Sequence, residues 1–82
     1  MPIDTEGRIL RMLDIQKSVS IELYKYCLLV GFDPETFNYK DYSENNLSGI
    51  QFNENSFLLK GYSEKMVKIE KILEKLNNEE LL

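Results

Sequence analysis

The chain has 82 residues with one cysteine and no histidine, and its 10 basic and 14 acidic side chains give a net charge of −4. This length fits one small domain, the lone Cys27 excludes an intrachain disulfide, and the absence of histidine leaves almost no ligands for a zinc site. Mild acidity also disfavours nonspecific attraction to the phosphate backbone of nucleic acids.

The first predicted element is a helix over residues 5–30. Asp4 or Thr5 can cap its start, and Gly31 suits the left-handed position that ends many helices. Short hydroxyl side chains such as Ser18 compete for backbone hydrogen bonds and weaken the middle of the segment. We expect one long helix, with two helices bent near Ser18 as the alternative. Apolar residues at helical spacing mark its main face: Ile9, Met12, Val19, Leu23, Tyr26 and Val30.

A short second helix is predicted near residues 34–39. Asp33 is a suitable cap, Pro34 is favoured at the first helical position, and Glu35 places an acid in the first turn. These three residues together are a typical helix start, so the prediction rests on local signals alone.

A small β-hairpin is predicted over residues 50–59. Ile50 and Phe52 alternate with a polar residue, and Phe57 and Leu59 can match them across a polar turn. Because an isolated hairpin is only marginally stable, we expect it to pack on a helix.

The last predicted element is a helix over residues 64–78, which Ser63 would cap. Its apolar residues fall in one arc about 120° wide at the helical angle of roughly 100° per residue. They are Met66, Ile69, Ile72, Leu73 and Leu76. The predicted fold class is therefore mostly α, one small domain built on two antiparallel helices over 5–30 and 64–78.

The first helix carries more apolar surface than one packing neighbour can cover, because a second stripe runs beside its main face. This stripe consists of Leu10, Leu13, Ile21, Tyr24 and Leu28. A helix that is apolar nearly all round is suited to burial on several sides. We therefore predict that these five residues form the interface of a homodimer. The alternative is that so short a chain needs every apolar position for one compact core.

Three other groups of residues are candidates for a functional role. Tyr39 and Tyr42 lie beside charged neighbours, so we predict that they are exposed and bind a partner protein. Cys27 falls on the apolar face, where a core position is more plausible than a reactive thiol. A lysine stripe on the last helix, Lys68, Lys71 and Lys75, would suit an anionic partner such as nucleic acid.

These observations favour a non-catalytic protein–protein interaction module, such as a small regulator, inhibitor or assembly subunit. The alternative is a dimeric nucleic-acid-binding regulator that uses the lysine stripe. Catalysis is disfavoured because histidine is absent and Cys27 is predicted to occupy a core position. We expect no cofactor, no metal and no membrane contact, and the lack of a visible export signal favours the cytoplasm.

Overall fold

The computed structural model describes residues 4–44 and 53–81. These residues form three helices, α1 (Thr5–Val30), α2 (Tyr39–Glu44) and α3 (Glu54–Leu81), and no strand. Helices α1 and α3 pack side by side in an elongated molecule of 53 × 21 × 21 Å, and α2 packs against α3. The predicted class, mostly helical, is confirmed.

Helix α1 is a single helix with the predicted bounds. The side chain of Asp4 accepts a hydrogen bond from the backbone N–H of Gly7 at 2.9 Å, which satisfies one of the unpaired donors of the first turn. At the other end Gly31 has φ 107°, which side-chain-bearing residues rarely adopt, and its N–H donates to the carbonyl of Cys27 at 2.9 Å. The helix runs through Ser18 without ending there.

The short helix predicted near residues 34–39 is wrong. The side chain of Asp33 accepts from the N–H of Glu35 at 3.0 Å, and its carbonyl accepts from the N–H of Thr36 at 3.2 Å. These bonds close a single turn over residues 34–36 and go no further. The same residues that start a helix also make an isolated turn, because both need only one capping side chain.

The short helix instead begins at Tyr39, and Asn38 explains why. The Asn38 side-chain oxygen accepts from the N–H groups of Lys40 and Asp41 at 3.1 and 3.2 Å, and its carbonyl accepts from the N–H of Tyr42 at 3.1 Å. Asparagine is among the best helix caps for this reason. The cap therefore lies farther along the chain than the predicted one.

The predicted β-hairpin over residues 50–59 is also wrong. Helix α3 begins at Glu54, so the residues predicted as the second strand, 57–59, lie in its first turns. The side chain of Asn53 accepts from the N–H of Ser56 at 2.9 Å and caps this start. The first predicted strand, residues 50–52, lies outside the described residues.

Ser63, predicted as the cap of the last helix, lies inside α3 and is fully buried. Its hydroxyl donates to the carbonyl of Leu59 at 2.7 Å. A serine that bonds to the preceding turn has its polar group satisfied within the helix, so it does not have to end the helix. The last helix therefore starts well before the predicted residue 64.

The core lies between α1 and α3, and α2 contributes one ring to it. Tyr26 stacks on Tyr62 at a centroid distance of 5.5 Å, and Leu23 and Met66 line one hollow. The carboxyl-terminal part of α1 thus lies beside the amino-terminal half of α3, as the predicted antiparallel arrangement requires. The buried cluster comprises Val19, Leu23, Cys27, Tyr42, Leu59, Met66, Ile69 and Leu73.

Candidate functional site

Five large apolar side chains of α1 are exposed in one row along the helix. They are Leu10, Leu13, Ile21, Tyr24 and Leu28, and we call them the outer stripe. Each is between 46% and 62% exposed. At roughly 100° per residue they span an arc about 80° wide, with Lys17 completing the row. These are the residues predicted as an oligomer interface, and the described part of the chain leaves them largely in solvent.

A hollow lies at the edge of the outer stripe and extends it towards the connecting segment. Tyr24 and Ser20 of α1 form one wall, while Pro34, Phe37 and Tyr39 form the other. The hollow and the stripe share Tyr24, so they form one continuous surface. A partner that covers the stripe would also meet the aromatic segment that follows α1.

The two tyrosines predicted as an exposed partner site differ in the structure. Tyr42 is only 8% exposed and packs against the rings of Phe32 and Phe37 at centroid distances of 5.5 and 5.2 Å. Its predicted exposure is wrong, because α2 turns residue 42 inward although its charged neighbours in sequence face solvent. Tyr39 is half-buried, and its hydroxyl donates to Oε1 of Glu70 on α3.

The three lysines of the predicted stripe all lie exposed on α3. They are Lys68, Lys71 and Lys75. The carboxylates of Glu64 and Glu74 are exposed on the same helix and flank this arc, so the local charge is mixed. A mixed-charge helix face is common on solvated helices and has a weaker field than a purely basic one.

Cys27 is 1% exposed and belongs to the core, and burial raises the pKa of its thiol. The thiolate is the nucleophilic form of cysteine, so a buried thiol with a raised pKa is poorly reactive at neutral pH. This environment suits packing rather than nucleophilic chemistry.

A second surface, which the sequence pattern did not predict, lies at the contact between α1 and α3. The stacked rings of Tyr26 and Tyr62 are at 16° to each other. The ammonium group of Lys25 lies 5.4 Å from the centroid of Tyr26, and that of Lys65 lies 5.0 Å from the centroid of Tyr62. These contacts have the geometry of cation–π interactions. The four residues form a continuous row across the two helices.

A groove adjoins this row on α3, and we call it the Gly61 groove. Its lining residues are Phe57, Leu58, Gly61, Tyr62 and Lys65. Phe57 is 62% exposed and forms an apolar wall. The signal that could have found the groove is the helical spacing of Leu59, Ser63 and Met66. That spacing predicts a helix that continues past Gly61, so the glycine lies inside a helix and not in a loop.

No family model, curated protein or solved structure matches this chain. Within residues 4–44 and 53–81, histidine, cysteine and acidic side chains do not come together in any group able to hold a metal ion. The described helices contain no segment with the length and hydropathy of a membrane span.

Proposed function

We propose that the chain is a non-catalytic protein–protein interaction module that forms a two-fold homodimer through the outer stripe of α1. The observation that carries this proposal is the row of five half-exposed apolar side chains along most of the helix. Large exposed apolar surface on a small protein commonly marks a site that another molecule covers. A two-fold dimer is the commonest arrangement of identical chains.

The spacing of the stripe supports an antiparallel pairing centred on Lys17. Leu13 and Ile21 lie four residues to either side of Lys17, and Leu10 and Tyr24 lie seven residues to either side. In an antiparallel pair about this centre, Leu13 of one copy faces Ile21 of the other, and Leu10 faces Tyr24. The symmetry of the spacing thus matches these four apolar residues with one another, whereas Leu28 falls opposite Glu6.

The free energy available from this contact is modest. Fully burying a large apolar side chain is worth about 1.5–3 kcal/mol, so the exposed half of each is worth about 0.8–1.5 kcal/mol. The eight side chains of the four matched residues in a dimer contribute about 6–12 kcal/mol, against about 4–15 kcal/mol for the lost freedom of association. The two ranges are comparable, so a dimer held by this contact would dissociate on dilution.

Lys17 is the one charged residue in the row, and it has a defined role in this arrangement. Two copies of it would lie near the two-fold axis, where like charges weaken the pairing. A single lysine in an apolar seam costs stability but fixes the register and the number of helices that associate. The Lys17→Leu variant is therefore expected to bind its copy more tightly than the unmodified chain.

Isothermal dilution calorimetry of matched variants tests the proposal. Leu13→Glu places a charge in the outer stripe, and Ile15→Glu places the same charge at an exposed apolar residue of the same helix outside the stripe. We expect Leu13→Glu to remove the heat of dissociation and Ile15→Glu to leave it unchanged. Equal effects of the two variants, or no heat from the unmodified chain, would reject the dimer.

The alternative, a nucleic-acid-binding regulator, has less support. The stripe of Lys68, Lys71 and Lys75 is flanked by exposed carboxylates, and the whole chain is acidic with a net charge of −4. Retention on immobilised DNA or RNA that falls steeply with salt would favour this alternative. No retention at low salt would exclude it.

A further inference from the structure

The hollow at the edge of the outer stripe reaches the core of the molecule. Its lining includes the buried residues Leu23, Cys27 and Met66, whereas Ser20 and Tyr24 on its α1 wall are exposed. Protein interiors are normally close-packed, so an opening that reaches core side chains is suited to a group that enters from outside. The described part of one chain therefore leaves an apolar opening directly beside the outer stripe.

The far wall of the hollow is held in place by contacts within the chain. The Tyr39 hydroxyl donates to Oε1 of Glu70 on α3, and the Phe37 ring packs against that of Tyr42 at a centroid distance of 5.2 Å. Tyr42 itself belongs to the buried cluster. The hollow is thus largely formed before anything enters it, and a preformed pocket reduces the cost of ordering side chains on association.

Leu13 lies on the same flank of α1 as the hollow, but in the other half of the helix. It precedes Ser20 by seven residues, so at roughly 100° per residue the two side chains lie within about 20° of each other around the helix axis. Leu13 is 46% exposed, which leaves its side chain available to a second molecule.

The proposed antiparallel pairing brings Leu13 of one copy to the hollow of the other. Because the pairing is centred on Lys17, the position opposite Leu13 is residue 21, which follows Ser20 and precedes Tyr24 by three residues. A two-fold axis that exchanges antiparallel helices keeps the same flank of both helices on the same side of the pair. Leu13 of the second copy therefore lies beside the wall formed by Ser20 and Tyr24, as a knob that enters a hole on the facing helix.

We propose that the hollow is the binding pocket for Leu13 of a second copy, so that each dimer contains two such pockets. This inference rests on the proposed homodimer and deepens it, because it names the partner's residue and the site that receives it. The contact made by the matched residues of the outer stripe is comparable in strength with the cost of association. Burial of Leu13 against Phe37 and Tyr39 adds apolar contact beyond the stripe, which a stable dimer needs.

Three other occupants fit the hollow less well. Ile9 of the second copy lies on the same flank of α1, but it is half-buried in its own chain. A charged group from a different partner would be buried among mainly apolar side chains, which is costly. A free apolar ligand would fill the hollow but would leave Leu13 exposed.

Nuclear Overhauser effects in the unmodified chain at near-millimolar concentration test the proposal. We expect cross peaks between the Leu13 methyl groups and the Phe37 ring protons, and an isotope-filtered mixture of labelled and unlabelled chains assigns them to contacts between copies. Within one chain, Leu13 is about 10 Å along the helix axis from Ser20, the nearest α1 residue of the hollow. Cross peaks from Leu13 to Ile21 but not to Phe37, or from Ile9 to Phe37 in place of Leu13, would overturn the proposal.

A matched pair of serine substitutions on α1 tests the same contact through affinity. Ser20→Phe places a ring at the wall of the hollow, whereas Ser18→Phe places one at an exposed position outside both the hollow and the outer stripe. Ser20→Phe should raise the dissociation constant of the dimer by roughly tenfold or more, because the added ring occupies the space that Leu13 needs. Ser18→Phe should leave the constant unchanged. Sedimentation equilibrium measures both.

An unchanged or tighter dimer in Ser20→Phe would overturn the pocket, since a ring added beside an unused hollow only enlarges the apolar surface. If Ser20→Phe lowers the thermal midpoint of the monomer, the cross peaks of the unmodified chain decide instead. The homodimer and the pocket fail in different ways. A chain that stays monomeric at near-millimolar concentration removes both proposals. A dimer with contacts between Leu13 and Ile21, but none between Leu13 and Phe37, keeps the homodimer and removes the pocket.

Discussion

Helix α1 carries two apolar faces that differ in what covers them. The inner face packs against α3, whereas the outer stripe remains about half exposed. Both faces are built of large apolar side chains, with valine, methionine and cysteine added on the inner face and leucine commonest in the outer stripe. Hydrophobic spacing therefore detects an apolar face of a helix but does not reveal which surface buries it.

The two faces also differ in their repeat. The inner face advances by alternating steps of three and four residues, through Ile9, Met12, Gln16, Val19, Leu23, Tyr26 and Val30. The outer stripe repeats after eleven residues, since Leu10, Leu13 and Lys17 are followed by Ile21, Tyr24 and Leu28. A seven-residue repeat drifts in the left-handed sense and an eleven-residue repeat in the right-handed sense. The two rows thus suit neighbours that cross α1 at different angles.

A pair of leucine substitutions compares the two faces directly. Leu23→Ala should lower the free energy of unfolding by about 2–5 kcal/mol, because it removes buried methyl groups and leaves a cavity. Leu28→Ala should change it by less than about 0.5 kcal/mol in the monomer, since Leu28 is largely exposed. Urea unfolding at low protein concentration measures both. Equal losses would mean that the outer stripe belongs to the core of one chain.

The aromatic segment after α1 offers a second comparison of buried and exposed residues. Tyr42→Ala should lower the free energy of unfolding by about 2–3 kcal/mol, because its ring packs against Phe32 and Phe37. Tyr39→Phe removes the hydroxyl that donates to Glu70 and should cost about 0.5–1.5 kcal/mol. Thermal unfolding with circular dichroism ranks the two. A larger effect of Tyr39→Phe would contradict this placement of the rings.

Removing the side chain that caps the start of α3 should lower stability by a smaller amount. Asn53→Ala removes the side-chain oxygen that accepts from the N–H of Ser56, so the free energy of unfolding should fall by about 1 kcal/mol. Asn78→Ala, far from this cap in the same helix, should not destabilise the chain. A neutral effect of Asn53→Ala would place the start of α3 elsewhere.

Cys27 gives the smallest predicted change, a dependence of stability on pH. Burial raises the pKa of the folded thiol above its ordinary value of 9.0, so the thiol stays protonated when the unfolded chain has already lost its proton. This contribution is fully present below pH 9.0 and is lost as the pH rises through the folded pKa. The free energies of unfolding of the unmodified chain and of Cys27→Ala, measured with denaturant at a series of pH values, should therefore approach each other as the pH rises above 9.0. A stability difference independent of pH would show that the thiol is not shielded.

Local signals in the sequence were sufficient for α1. Asp4 and Gly31 mark its ends, and a long apolar repeat fills the space between them. The start of α3 was misplaced because serines occupy buried positions there, and the alternation of Phe57 and Leu59 imitates a strand. Only the packing against α1 shows that Ser63 faces the core and bonds back to Leu59.

The functional surfaces also differ in how far local sequence signals predict them, because some depend on packing between segments that are distant in the sequence. The outer stripe follows from the helical spacing of α1 alone, so its five residues were identified in the sequence. The burial of Tyr42 depends on rings brought together by the turn after Gly31, which spacing does not encode. Gly61 can be recognised as a glycine inside a helix only when α3 is known to extend past it.

Sedimentation equilibrium of the unmodified chain, from low micromolar to near-millimolar concentration, tests most directly whether a second copy covers the outer stripe. The mean mass should rise with concentration from the monomer value of 9.7 kDa towards twice that value. A mass that stays at 9.7 kDa over the whole range would contradict the account.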